Sequence, residues 1–109
     1  QDPCIWIYPM KEWKKIEDEL RKLSSISGIH RTFVRQIARS ATPSTCDKQG
    51  RIIISPSLLS YAELNKEALI LGMINKIEIW NPDILEKVDK NNINDDPNEF
   101  NSLAEKIVI

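Results

Sequence analysis

An α+β fold follows from two patterns in this chain. Short β-branched and aromatic runs read as strands: Cys4 to Tyr8, Arg51 to Ile54, Glu67 to Leu71 and Ile77 to Trp80. Between and after them, apolar residues recur at three- and four-residue spacing, the pattern of amphipathic helices. The 109 residues fit one domain, and with 41% hydrophobic and 28% charged residues the composition is that of a globular chain.

The first run is β-branched and aromatic through Tyr8, and Pro9 follows at a plausible first helical position. Trp13, Ile16, Leu20 and Leu23 then line one helix face, and Ser24 to Gly28 breaks it. A second helix runs from about His30 to Arg39. Phe33, Val34, Ile37 and Ala38 mark its apolar side, and Arg31, Arg35 and Arg39 recur at i, i+4 on the other. Ala41 to Cys46 is polar and partly β-branched, and Pro43 makes it an expected edge strand. Ser55 is the expected N-cap, and Pro56 the first turn, of a short helix through Tyr61. The strands Glu67–Leu71 and Ile77–Trp80 are expected to join around Gly72 to Lys76. Pro82 opens a helix through about Val88. Asp89 to Asn98, rich in Asn and Asp, reads as a linker. Phe100, Leu103, Ala104 and Ile107 close the chain as a short amphipathic helix.

The segment with most functional content is Asp47-Lys48-Gln49-Gly50-Arg51. An Asp carboxylate accepts from nearby backbone N–H groups, and Gly supplies a positive φ, so the stretch reads as a tight turn. Arg51 then stands at a strand mouth, where a guanidinium can read guanine or grip phosphate. Pairing with Asp47 across the turn is the competing role for Arg51, and the two roles are compatible. Lys48 is a candidate phosphate contact and Gln49 a candidate base contact. Asp47 and Gly50 are turn scaffold, because a carboxylate facing phosphate is repelled.

Other chemistries find little support. Net charge is −1, so any nucleic-acid contact must come from a local basic patch rather than a global field. The arginine stripe is such a patch, although an acidic subunit or intramolecular partner suits it better; Glu12, Glu17, Asp18 and Glu19 are candidates. Cys4 and Cys46 have no CxxC spacing. With the single His30 they make neither a zinc site nor a disulfide framework, which favours a reducing cytoplasm. His30 and Cys46 as a thiol–imidazole pair is a weak reading, and no catalytic residue is assigned. The glycines at 28, 50 and 72 form no phosphate-cradling loop, so no cofactor is expected. The longest apolar stretch, Ala68 to Ile74, is too short to span a bilayer. Trp6, Trp13 and Trp80 read as core or interface anchors.

There is also a partial internal repeat. Ile5-Trp6-Ile7-Tyr8-Pro9 matches Ile77-Glu78-Ile79-Trp80-Asn81-Pro82 with one insertion, each reading strand, aromatic, proline, helix. Because the chain starts at Gln1 with a strand entered in mid-fold, the natural protein is expected to continue upstream, with a processed chain as the alternative.

The run Thr45 to Leu58, then Ala62-Glu-Leu-Asn-Lys-Glu, Leu69-Ile-Leu-Gly and Ile77-Glu-Ile-Trp, closely resembles the MraZ family of bacterial transcriptional regulators associated with the division and cell-wall gene cluster. Tyr8-Pro-Met-Lys-Glu-Trp and Leu103-Ala-Glu-Lys add to the likeness. The resemblance implies a small swapped-hairpin (AbrB-like) β-barrel with peripheral helices, built from two repeats that each carry an Asp-x-x-x-Arg motif. Asp47 and Arg51 are then the second copy's motif. Residues 1–8 are the last strand of a truncated first repeat, 9–40 a helical connection, 41–88 the second repeat with its following helix, and 89–109 a polar linker and C-terminal helix. The resemblance further implies a cytoplasmic, nucleoid-associated homo-oligomer, in ring form, on double-stranded promoter repeats, with no membrane or small-molecule partner. The alternative is an oligomerisation or protein-interaction module, antitoxin-like, that does not bind DNA in this truncated form.

Overall fold

The computed structural model describes residues 2–107. The element order is β1 (Ile5–Ile7), α1 (Met10–Ser24), α2 (Gly28–Ser40), α3 (Pro56–Tyr61), β2 (Leu69–Met73), β3 (Lys76–Trp80), α4 (Pro82–Asp95) and α5 (Pro97–Lys106). The expected α+β class holds. Among the described residues there is one sheet, antiparallel and open, in the order β1-β3-β2.

The two strands of the internal repeat are neighbours. β1 pairs with β3 so that Ile5 faces Ile79, Trp6 faces Glu78 and Ile7 faces Ile77. Repeat equivalence matches Ile5 with Ile77 and Ile7 with Ile79. The pairing exchanges them, as a local two-fold axis through the Trp6–Glu78 pair requires. β2 and β3 form a hairpin with Met73 opposite Lys76, closed by Ile74 and Asn75. Gly72 is therefore inside a strand, opposite Ile77, and not in the turn the sequence suggested.

The core is small. Ile5, Ala62 and Ile79 are buried together, with Ile7, Ile54, Leu58 and Leu64 packed around them. The sheet supplies one side of this cluster and the α3 region the other. Ser55 caps α3 by accepting from the Leu58 N–H at 3.4 Å, with Pro56 in the first turn. Asn81 caps α4 by accepting from the Asp83 N–H at 3.0 Å, and its Nδ2 donates to the Glu63 carbonyl at 2.9 Å. α1 and α2 pack on each other as a helical hairpin. The radius of gyration is 16.6 Å, against about 13 Å for a compact domain of this length. Apolar side chains accordingly stay open to solvent, Ile53, Ile70 and Ile74 among them.

Four expectations need correction. Neither Ala41 to Cys46 nor Arg51 to Ile54 is a strand; both are extended but unladdered. Strand propensity needs a partner edge to become a strand, and no described segment supplies one. For the same reason the sheet does not close into a barrel. The Asp89–Asn98 linker is mostly helix: α4 continues to Asp95 and Pro97 opens α5. Asn and Asp cost only a few tenths of a kcal/mol each inside a helix. The half-buried Ile84, Leu85, Val88 and Ile93, with the Glu86–Lys90 pair at 2.9 Å, outweigh that. Finally, Pro9 lies one residue ahead of its expected position, as the N-cap of α1. The C-terminal helix is where the sequence suggested, ending at Lys106; the expected tail beyond Ile107, like Gln1, lies outside the described residues.

Candidate nucleic-acid interface

The Asp47–Arg51 segment is a closed turn held by its own first and last residues. The Asp47 N–H donates to the Arg51 carbonyl at 2.8 Å, and the Gly50 N–H to the Asp47 carbonyl at 3.1 Å. Asp47 Oδ1 accepts from the backbone N–H groups of Gln49 (2.8 Å) and Arg51 (2.9 Å). Asp47 Oδ2 accepts from Arg51 Nε at 3.0 Å. Gly50 has φ of +77°, which a side chain would strain. One carboxylate thus staples both the loop backbone and the arginine. These bonds hold its pKa below the ordinary 3.8, with the Arg51 backbone N–H as the largest cause.

The staple uses one edge of the guanidinium. Nε is occupied by Asp47, while the Nη1 and Nη2 groups have no hydrogen-bond partner among the described residues. The Arg51 side chain is 72% exposed. An arginine fixed through Nε keeps its terminal fork, the pair of donors that matches a guanine edge or a phosphate. Lys48 and the Gln49 side chain stand on the same exposed tip. The turn therefore brings together every residue singled out there: Asp47 and Gly50 in the frame, Lys48, Gln49 and Arg51 at the surface.

The arginine stripe of α2 is elsewhere. Arg31, Arg35 and Arg39 are exposed, and the acids of α1 do not meet them. Three of those acids bond within their own helix instead: Lys15–Glu12 at 3.3 Å, Arg21–Asp18 at 2.8 Å and Lys22–Glu19 at 3.5 Å. His30 Nδ1 is 2.6 Å from the Ser27 hydroxyl. Cys46 is exposed beside the turn and Cys4 is buried. Burial, with Glu78 and Asp2 nearby, pushes the Cys4 thiol up to about 11.

A polar cluster not picked out from the sequence sits on the sheet. Glu78 is 8% exposed and accepts from two indoles, Trp6 Nε1 at 3.1 Å and Trp80 Nε1 at 2.9 Å. Lys76 Nζ lies 3.8 Å from Glu78 Oε2 and 3.8 Å from the Trp6 ring centroid. The available signal was an acid centred in the apolar run Ile77-Glu78-Ile79-Trp80. Trp80 is an anchor of the core at 2% exposure, whereas Trp6 lies on the sheet rim at 39%. Trp13 packs on Tyr8 with ring centroids 6.1 Å apart.

Fold and site together define a class: an α+β chain, internally repeated, that displays an arginine on a carboxylate-stapled turn. Sequence comparison gives the family. The family model described as "MraZ protein, putative antitoxin-like" matches residues 1–36 and 37–104. The chain is 42% identical over 95 residues to a transcriptional regulator MraZ of Psychromonas ingrahamii, covering 87% of this chain and 62% of that one. It is 49% identical over 79 residues to that of Halothermothrix orenii (72% and 55%). With that of Clostridium tetani the figures are 37% over 106 residues (97% and 71%). The chain belongs to the MraZ family, and it spans little more than half the length of some of these relatives.

Proposed function

We propose that this chain is a sequence-specific DNA-binding transcriptional regulator that recognises promoter repeats through the Asp47–Arg51 turn, displayed in several copies by a homo-oligomeric ring. The observation that carries the reading is the free Nη1/Nη2 fork of an arginine already oriented through Nε. Guanine O6 and N7 accept from such a fork in the major groove, and a good contact of this kind discriminates by about 1–3 kcal/mol. Lys48 adds charge toward phosphate and Gln49 an amide toward a base edge. The relatives' names as transcriptional regulators agree with this role, and the proposed targets are the division and cell-wall genes that the resemblance implies. The setting is the cytoplasm and nucleoid. The open sheet and the unladdered residues 41–54 suit a swapped-hairpin barrel completed by a further hairpin.

A single turn on a chain of net charge −1 binds weakly. Linking several turns to repeated sites raises avidity by about 10²–10⁴ without new contacts. The second reading, an antitoxin-like interaction module, draws on the family description and on the exposed apolar face of α5. The test is selection of binding sites from a DNA library, then titration of wild type, Arg51→Lys and Arg51→Ala against selected and scrambled duplexes. The expected result is strong site preference in wild type, lost in both variants, with affinity falling steeply with salt. Equal binding of selected and scrambled DNA by all three proteins overturns base reading and favours the interaction module.

A further inference from the structure

We propose that the arginine stripe of α2 is a second DNA-contact surface, which grips backbone phosphates beside the bases read by the Asp47–Arg51 turn. It rests on the DNA-binding reading above and adds a sequence-independent surface to it.

The charge of this chain is segregated. Residues 20–62 contain seven lysines and arginines and one acid, Asp47. The other 66 residues contain eight lysines and arginines and fifteen acids. A net charge of −1 therefore conceals a central stretch of +6. Asp47 offers little repulsion from within it, because both its oxygens are bonded inside the turn. α2 and the turn belong to the same basic stretch, and polyanions respond to such a local field rather than to the net charge.

α2 concentrates that field. It carries Arg31, Arg35 and Arg39 and no acidic residue. Other helices pair charges internally, as Arg21–Asp18 does in α1 and Glu86–Lys90 in α4. None of the three α2 arginines has an ion-pair partner among the described residues. All three are exposed, whereas His30, Val34 and Ile37 are half-buried. At about 100° per residue, Arg35 and Arg39 stand about 100° or more around the helix from each of those three, away from the packed side.

Spacing and residue type fit a phosphate strand. Two steps of four residues at about 1.5 Å rise make the stripe about 12 Å long, the length of about three to four phosphates at about 3.4 Å each. Arginine and lysine have nearly equal helix propensity, so solvation alone does not call for arginine. Yet α2 holds three of the five arginines and none of the ten lysines. A guanidinium fork holds phosphate through two parallel hydrogen bonds, which an ammonium does not. Ser40 at the end of α2 and Asp47 are seven residue steps apart, at most about 25 Å. One turn of duplex, about 34 Å, is long enough to reach both surfaces.

The experiment titrates the selected and scrambled duplexes across a salt series with wild type, R31Q/R35Q/R39Q, R31K/R35K/R39K and Arg51→Ala. Each is checked for helix content by circular dichroism and for mass by sedimentation velocity. The glutamine variant is expected to keep the wild-type mass and to bind both duplexes more weakly by the same factor. Its log affinity against log salt slope is expected to fall by about 0.9 for each arginine in contact. The lysine variant is expected to restore that slope, since counterion release counts charges, with affinity between the other two. Arg51→Ala is expected to lose the preference between duplexes and to keep the α2 share of the slope. An unchanged slope in the glutamine variant overturns the surface. So does a changed mass, which makes the stripe a subunit contact, or a lysine variant that loses as much slope as glutamine. Wild type without preference, but with the slope drop in the glutamine variant, overturns base reading and supports the stripe. Binding of neither duplex by wild type overturns both.

Discussion

Trp6 and Glu78 stand directly opposite each other on β1 and β3, and the Trp6 indole N–H donates to Glu78 Oε2 at 3.1 Å. The two residues are 72 positions apart in sequence. Their bond marks the centre of the local two-fold arrangement, and the second Glu78 oxygen takes the Trp80 indole at 2.9 Å. Side-chain period along a strand is two, so a slip by one residue turns Glu78 and Trp80 together to the other face and breaks the cross-strand bond to Trp6. The carboxylate thus fixes the register in which the repeat strands meet.

Glu78→Gln tests this. An amide offers one oxygen to two indole donors and points its NH2 at the other, while Lys76 loses its anion. Leaving a buried donor unpaired costs about 1–3 kcal/mol. An unfolding free energy lowered by that amount in chemical denaturation, with Trp fluorescence altered in the native state, is expected. An unchanged midpoint means the indoles do not depend on the carboxylate.

Gly50→Ala separates the frame of the turn from its reader. A Cβ at Gly50 meets nothing within 4 Å, so the cost is backbone strain at φ +77° alone. That strain is about 1 kcal/mol. DNA affinity is expected to fall several-fold although Arg51 is intact, with melting temperature lowered by only about 4 °C. Gly50→Asn, which tolerates positive φ, is expected to recover most of the loss.

The turn is also acid-sensitive. Asp47 titrates below its ordinary value of 3.8 in the folded chain. A depressed carboxylate contributes stability that is present above the unfolded pKa and is lost as pH falls through the folded one. The turn is therefore expected to be intact at neutral pH and to open only below about pH 4. The amide resonances of Gln49 and Arg51 should move together with the Asp47 carboxyl resonance in an NMR titration. Movement of these amides near neutral pH contradicts the staple.

The cysteines differ in the opposite direction. Cys46 is exposed, whereas Cys4 is buried with its thiol pushed up to about 11. Iodoacetamide at pH 8 should label Cys46 quickly and Cys4 only on unfolding, read by peptide mass. A thiol raised on folding stabilises fully below its unfolded pKa. That contribution is lost as pH rises from 9 toward 11. Equal labelling rates contradict the burial of Cys4.

Much of this structure was legible because it is local. The Asp47 staple closes over four residues, and the Ser55–Pro56 cap closes within three. Residue type and spacing suffice there, as they do for α1 and α2. The linker expectation failed at Asp89–Asp95 because asparagine and aspartate penalise a helix weakly, and half-buried Val88 and Ile93 tipped the balance. The reader Arg51 was visible in the sequence; the edge of its guanidinium that Asp47 occupies was not, since that choice is a matter of bond geometry.

The sequence by itself determined the α+β class, the turn and its arginine, and the family, through side chains that bond near neighbours in the chain. Only the tertiary structure decided that β1 and β3 pair about Trp6–Glu78, that Arg51 to Ile54 stays unladdered, and that the faces of α2 and α5 remain open. Each of these depends on which distant segment is available as a partner. Ile52-Ile53-Ile54 has the propensity of a strand, but a strand exists only where another edge meets its N–H and C=O groups.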